Sequence, residues 1–520
     1  MTTTPRFLVR ALLSAALLLC AAGAYAAKVA VYHTSDVHGW YSARPALWDR
    51  ENSTRTIGGF PALAALLAKE KLPYLLLDSG DMFQGTPEGI LTKGMASVVL
   101  MNQLGYAAAV PGNHDYDYGE GPLRAMVSSA AFAVLGANVY YKDGGGPAAY
   151  LKPYVLVERG GKKIAVLGLM NRYTSTLTFP PYVKHFDFRD EGAEAARRLP
   201  ELEKLGADAV VAIAHLGLSD DLSLRRLDIS TWTFSGDRGA LRVARSAPGL
   251  DLLLGGHNHA AFLKGWRDPV SGAWLGESGY GLSYVTRAEL DFDDKTGKLK
   301  GLKVENLPLW TDETGEDPRV LKTVAGFSAD VDREMGQTVG EALGDLGFSP
   351  DGLDSAIGNW GCDATRAAAG AALAFQNTKG IRAEIRKGTV RLRDLYQAVP
   401  FDNTVVTMRL TGAQIKRMLA DNIYNGRSLM QVSGLEVGFK GSSGRPSGIR
   451  IYREGVEIKD DEEFAVATNS YLAGGGDGGA VFSEGRDIRD TMRGVRDILI
   501  DAFKAGPVTP PASGRITRLE

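Results

Sequence analysis

Apolar residues run along the first three-fifths of the chain in short blocks, each cut off by a turn-forming or polar residue. The blocks include "KVAVYH" from Lys28, "PYLLLD" from Pro73, "AAAVPG" from Ala107, "KIAVLGLM" from Lys163, "DAVVAIAH" from Asp208 and "DLLLGG" from Asp251. Runs of this length, rich in Val, Leu and Ala, read as buried strands. Between them stand stretches with helical spacing, such as "GFPALAALLAKEKL" and "EGAEAARRLPELEKLG". The alternation predicts an α/β domain from Lys28 to about residue 312. In "TDETGEDPRVLKTVAGFSADVDREM" the strands stop, and Pro318 takes a favourable first helical position. Residues 313–335 are therefore expected to form a linker helix, with a mixed α+β segment rich in glycine loops over 336–520.

Composition narrows the classes. The 520 residues exceed one ordinary core. Charged residues make up 23% and the formal net charge is −2, so there is no basic stripe for a nucleic acid polymer. At the start, Arg6 and Arg10 precede an apolar run closing on Ala24-Tyr25-Ala26. The pattern predicts a leader over residues 1–26, cleaved near Ala26, with export to the periplasm or the extracellular space and no stable membrane insertion afterwards. Its removal leaves Cys362 alone, so no intrachain disulfide is expected.

Five of the seven histidines stand in polar clusters directly after apolar blocks. The clusters are "SDVHG" (Asp36, His38), "GNHDYD" (Asn113, His114), "AIAHLG" (His215) and "GGHNHA" (His257, His259), and "DSGD" adds Asp81 behind Gly80. In α/β sheets the carboxyl ends of strands open onto the ligand crevice. Read as extended backbone, Asp36 with His38, and His257 with His259, each aim two side chains to one side. Two Asp, one Asn and four His are too many for one tetrahedral site. Two divalent ions account for them: Asp36, His38, Asp81 and His259 on one, and Asp81, Asn113, His215 and His257 on the other. The mixed N/O donors suit Mn, Zn, Co or Fe. Two aspartates cancel only half of the ions' charge, which leaves a surplus that attracts a phosphate ester. His114, beside Asn113, is expected to point past the ions toward the phosphate, with Asp117 holding its imidazole.

These clusters resemble the metallophosphoesterase signature. With "NTKGIR", "VPFDN", "LMQVSGLEV" and "NSYLAGGGDGG" in the second half, nearly all of the mature chain resembles the bimetal 5′-nucleotidase family, whose bacterial members include periplasmic UDP-sugar hydrolases. The resemblance implies a layered αββα first domain, a C-terminal substrate-binding domain and a hinge at the linker helix. It makes His114 and Asp117 the catalytic dyad. Phe401 and Tyr471 would sandwich a nucleobase, Asp477 would hold the ribose, and Asn377 and Arg382 would face the substrate. The implied activity is hydrolysis of nucleoside 5′-phosphates, nucleotide sugars or cyclic nucleotides. Three departures bear on the substrate. Lys379 stands where relatives carry glycine, the stretch "FSPDGLDSAIGNW" holds no arginine, which leaves open whether Arg366 substitutes, and one aromatic is Tyr. Two other readings compete: a thiosulfohydrolase-like enzyme, against which the aromatic pair argues, and an inactive nucleotide-binding protein, against which the intact ligand set argues.

Overall fold

The computed structural model describes residues 28–519 apart from 47, 50, 219–225 and 235–237. The leader expected over residues 1–26 lies outside the described residues. None of the described helices is long and apolar enough to cross a membrane.

The apolar blocks become the central strands of two six-stranded sheets. In the first, Lys28–Thr34, Tyr74–Asp78, Ala108–Ala109 and Ala133–Val134 run parallel, and the hairpin Tyr284–Phe292 and Leu299–Pro308 closes one edge in antiparallel pairing. In the second, Lys162–Leu169, Ala209–Ala214, Leu252–Gly255 and Trp274–Glu277 are parallel, flanked by antiparallel Tyr154–Arg159 and Trp266–Arg267. Strands buried on both faces need no polar alternation, and side chains here divide by parity. Ile164, Val166, Val211, Ile213, Leu252 and Leu254 join the core shared with the first sheet. Leu167, Leu169, Ala212, Ala214 and Leu253 pack the other way, against the helices Glu191–Lys204 and Gly239–Ser246. The helices Phe60–Leu67 and Met95–Leu104 cover the first sheet, completing the αββα layering.

Asp317 caps the helix Pro318–Met335 by accepting from the amides of Arg319 and Val320, with Pro318 in the first turn. Val320 and Val324 bury into the first domain's core. The segment that follows builds a five-stranded mixed sheet in the order Met430–Ser433, Leu373–Asn377, Glu463–Asn469, Thr404–Thr411, Arg486–Gly494. One face packs on the helix Gly412–Asn422. The other packs on Ala356–Ala369 and Val495–Ala505.

Because Ile213 is wholly enclosed between the two sheets, Ile213→Ala should lower unfolding free energy by about 2–5 kcal/mol. Val270→Ala, at a side chain 70% exposed, should stay within about 0.5 kcal/mol. Urea denaturation of both variants checks the pair.

Candidate functional site

Every cluster singled out in the first domain begins within four residues of the carboxyl end of a parallel strand: Thr34, Asp78, Ala109, Ala214 and Gly255. The side chains converge into two groups that share one aspartate. Asp36, His38, Asp81 and His259 form one, and Asp81, His215 and His257 the other, with ligand atoms in each group within 4.8 Å of one another. Asn113 joins the second group, its Oδ1 3.1 Å from His215 Nε2. Asp81 Oδ2 lies 3.2 Å from His215 Nε2 and 3.6 Å from His38 Nε2.

The local backbone differs from the extended conformation expected for the D-x-H and H-x-H pairs. Asp36, His38, Asp81, His257 and His259 all have positive φ, between 50° and 73°. The pairs converge because each residue is turned into the left-handed region, at a cost of about 1–2 kcal/mol apiece. Backbone bonds hold these turns: Asp36 N donates to Gly80 O (2.9 Å), His38 N to Asp81 O (2.9 Å) and Gly281 N to Asp36 O (2.7 Å). At Gly80 the chain passes so close that a Cβ would sit 2.3 Å from Gly112 N, and φ is +89°.

Hydrogen bonds also fix which ring nitrogens face inward. Carbonyl oxygens only accept, so His38 Nδ1 donates to Gln84 O (2.6 Å) and His215 Nδ1 to Ser79 O (2.7 Å), leaving both Nε2 atoms turned toward the groups. His38 Nε2 and His259 Nε2 then face each other at 3.1 Å. Burial drops His38 to about 3 and holds His257 and His259 well below the usual imidazole value. Two neutral imidazoles aiming lone pairs at one point suit a shared cation. Burial would raise Asp81, but His215, His114 and His38 keep its carboxyl well below the ordinary range. Burial disfavours charge on His215 too, yet Asp81 lifts it to about 10. Burial raises Asp36 to about 7. The donor set therefore fits divalent ions, in the two groups read from the sequence.

His114 belongs to neither donor group. It opens the short turn His114–Tyr116, its Nδ1 lies 2.8 Å from Asp117 Oδ2, and Thr178 Oγ1 donates to Asp117 Oδ1 at 2.8 Å. Desolvation lowers its pKa, but Asp117 and Asp81 outweigh this and the net shift is upward. On the far side Arg382 Nη2 approaches His114 Nε2 at 2.9 Å, and Arg382 Nε is buried without a partner among the described residues. An orphaned buried donor is a place for an anion.

The C-terminal residues reach this site in part. Asn377 Nδ2 donates to Asp477 Oδ2 (2.9 Å), and Asn377 Oδ1 accepts from Asn469. Asp477 sits at φ 42° in the glycine turn. Phe401 lies against His114, ring centroids 5.2 Å apart, and the Tyr471 hydroxyl donates to Thr176 O across the domains. Lys379 is exposed, so the turn accommodates its side chain. Arg366 does not substitute for the missing arginine. Its Nε donates to Ser433 Oγ, beside Ala374 at the opposite end of the strand from Asn377.

Asp115 is the residue that the sequence reading passed over. Its carboxylate accepts from the amides of Asp81, Met82 and Gly112 (2.7–3.0 Å), lashing the Asp81 loop to the Asn113 loop. Burial raises its pKa to about 7. Its place beside His114 was the available signal.

Comparison with known proteins agrees with this arrangement. Residues 29–261 match the calcineurin-like phosphoesterase family, and residues 335–484 match the 5′-nucleotidase C-terminal domain. The chain is 27% identical to protein UshA of Yersinia enterocolitica, over 86% of each chain. It is also 27% identical to the trifunctional nucleotide phosphoesterase protein YfkN of Bacillus subtilis, over 94% of this chain, although it spans only 34% of that longer protein. The crystal structure of a 5′-nucleotidase precursor from Thermus thermophilus superposes with a TM-score of 0.82 at 27% identity, covering 95% of this chain and 99% of that one. The sheets, the shared-aspartate cluster and both matched regions together place the chain in the 5′-nucleotidase family of metal-dependent phosphoric ester hydrolases.

Proposed function

We propose that the protein is exported, holds two divalent ions and hydrolyses nucleoside 5′-phosphates to nucleoside and phosphate. The observation that carries this reading is the pair of donor groups sharing Asp81, set beside His114 and a partly unsatisfied Arg382. Asp36, His38, Asp81 and His259 would hold one ion, and Asp81, Asn113, His215 and His257 the other. Such ions supply Lewis acidity toward phosphoryl oxygens and bring the pKa of water toward neutrality.

The chain's own residues account for the rest. Asn113 Nδ2 donates to Leu177 O (2.9 Å), so its amide presents oxygen to the cluster without adding negative charge. Its neutrality preserves the surplus positive charge that an anionic substrate needs. A phosphoryl group entering between Arg382 Nη2 and a protonated His114 Nε2 accepts from both. With Nδ1 committed to Asp117, the His114 proton available for the leaving oxygen is on Nε2. Phe401 and Tyr471 would take the base, where stacking contributes about 1–3 kcal/mol, and Asp477 would accept from ribose hydroxyls. Asp81, at 1% exposure, is covered. Arg382 and Phe401 lie on His114, and Tyr471 reaches Thr176 from the second domain, so exchange would need the domains to part, about the helix Pro318–Met335.

Metal analysis of purified protein should find two ions per chain. Asp81→Asn should lose both and His259→Ala one. A wild-type ratio of one or none would remove the two-ion reading. For the dyad, His114→Ala should lower AMP turnover about 10²–10⁴-fold. Asp117 and Asp81 raise the His114 pKa, so Asp117→Asn lowers it. Since the acid must be protonated, the alkaline limb of the kcat profile should move to lower pH. An unmoved limb in Asp117→Asn would take the acid role from His114.

A further inference from the structure

Three consecutive residues beside the cluster each hold a different functional group. Thr176 O accepts from the Tyr471 hydroxyl of the second domain at 3.1 Å. Leu177 O accepts from Asn113 Nδ2 at 2.9 Å, and Thr178 Oγ1 donates to Asp117 Oδ1 at 2.8 Å. The three lie where the single-turn helix Thr174–Leu177 ends, ahead of a second short turn, Pro180–Val183. Both ends of this segment are tied down. Arg172 N donates to Glu191 Oε1 (2.7 Å) and the Arg172 guanidinium to Asp190 (2.7 Å), while Lys142 N donates to His185 O (2.9 Å). Its middle touches both the cluster and the second domain.

A helix leaves its last carbonyls without partners of its own. In a single turn most carbonyls are of that kind: Thr178 N takes Thr174 O (3.3 Å), whereas the carbonyls of Thr176 and Leu177 are met by side chains, one from each domain. The Leu177 carbonyl settles which way the Asn113 amide faces. With Nδ2 committed to it, Oδ1 turns to the cluster, 3.1 Å from His215 Nε2. Thr178 is 1% exposed, and an ionised carboxylate only accepts, so its hydroxyl proton is committed to Asp117 Oδ1. That leaves Asp117 Oδ2 for His114 Nδ1. One residue separates Thr176 from Thr178, and planar peptides carry a rotation at the first into the second.

We propose that Thr176, Leu177 and Thr178 couple docking of the second domain to the alignment of Asn113 and Asp117, with Thr178 a positioning residue for the dyad and the Tyr471 hydroxyl the group that engages the segment. The proposal rests on the phosphohydrolase reading. When the domains part, Tyr471 leaves, the Thr176 carbonyl turns to water, and the loosened turn no longer fixes the Asn113 amide or Asp117. When they close, the tyrosine that takes the base also sets the dyad. A nucleotide is then attacked only once its base is seated.

The test is a double-mutant cycle on the manganese-supplied full chain. Thr178→Val keeps the side chain's shape and deletes its hydroxyl; Tyr471→Phe keeps the ring and deletes its hydroxyl. Each should lower kcat for AMP about five- to tenfold, the size of one hydrogen bond, with KM held within about twofold. Thr178→Ser should restore kcat. With Thr178→Val in place, adding Tyr471→Phe should cost less than about a further twofold, because residues acting through one segment are not additive. Losses that multiply, losses confined to KM, or no loss in either single variant would overturn the coupling. A second readout needs no turnover: hydrogen exchange at the Thr176 and Thr178 amides should quicken about fivefold or more in Tyr471→Phe. Unchanged exchange would overturn the proposal whatever the kinetics. If wild type releases no phosphate from AMP, the phosphohydrolase reading falls, and exchange still decides whether Tyr471 holds the segment.

Discussion

One carboxylate organises the centre of this molecule. Asp81 stands between the His38 side and the His215 side of the cluster, belongs to both donor groups, and also accepts from the His114 amide through its second oxygen. A charge so thoroughly removed from water is tolerable only with opposing charge close by. The surrounding histidines supply part of that compensation, which is why Asp81 and His215 are displaced in opposite directions from their ordinary values. Burial and partner choice here are one constraint, and the loops are shaped to satisfy it.

Those loops carry the cost. Five cluster residues occupy left-handed backbone, a conformation that Asp and His tolerate better than branched residues do. The strain persists because the sheets beneath are rigid and because Asp115 ties two of the loops together through three amide bonds. Scaffold and site thus divide the work: parallel strands bring the loops to one edge, and buried polar bonds fix the side chains that project from them.

Much of this was legible beforehand. The apolar blocks marked the parallel strands because strands buried on both faces leave unbroken runs, and the polar clusters marked their carboxyl ends. Cluster positions and ligand types pointed to these residues, and Asp36, His38, Asp81 and His259 do come together, as do Asp81, His215 and His257. The backbone that brings them together was not legible, because left-handed φ at Asp or His leaves no periodic trace. Arg366 and Phe401 were harder still. Whether Arg366 reaches Ser433 or a substrate, and whether Phe401 rests on His114, depends on pairing between distant strands and on how the two domains meet.

The contact between Arg382 and His114 has a kinetic meaning. Arg382 can donate to Nε2 only while His114 is neutral, so an anion that enters with His114 protonated must break this contact. The same link re-forms as soon as the anion departs. With two ions bound, as proposed, the centre would hold inorganic phosphate strongly, and a self-closing latch of this kind would offset that grip and ease the exit of the smallest product.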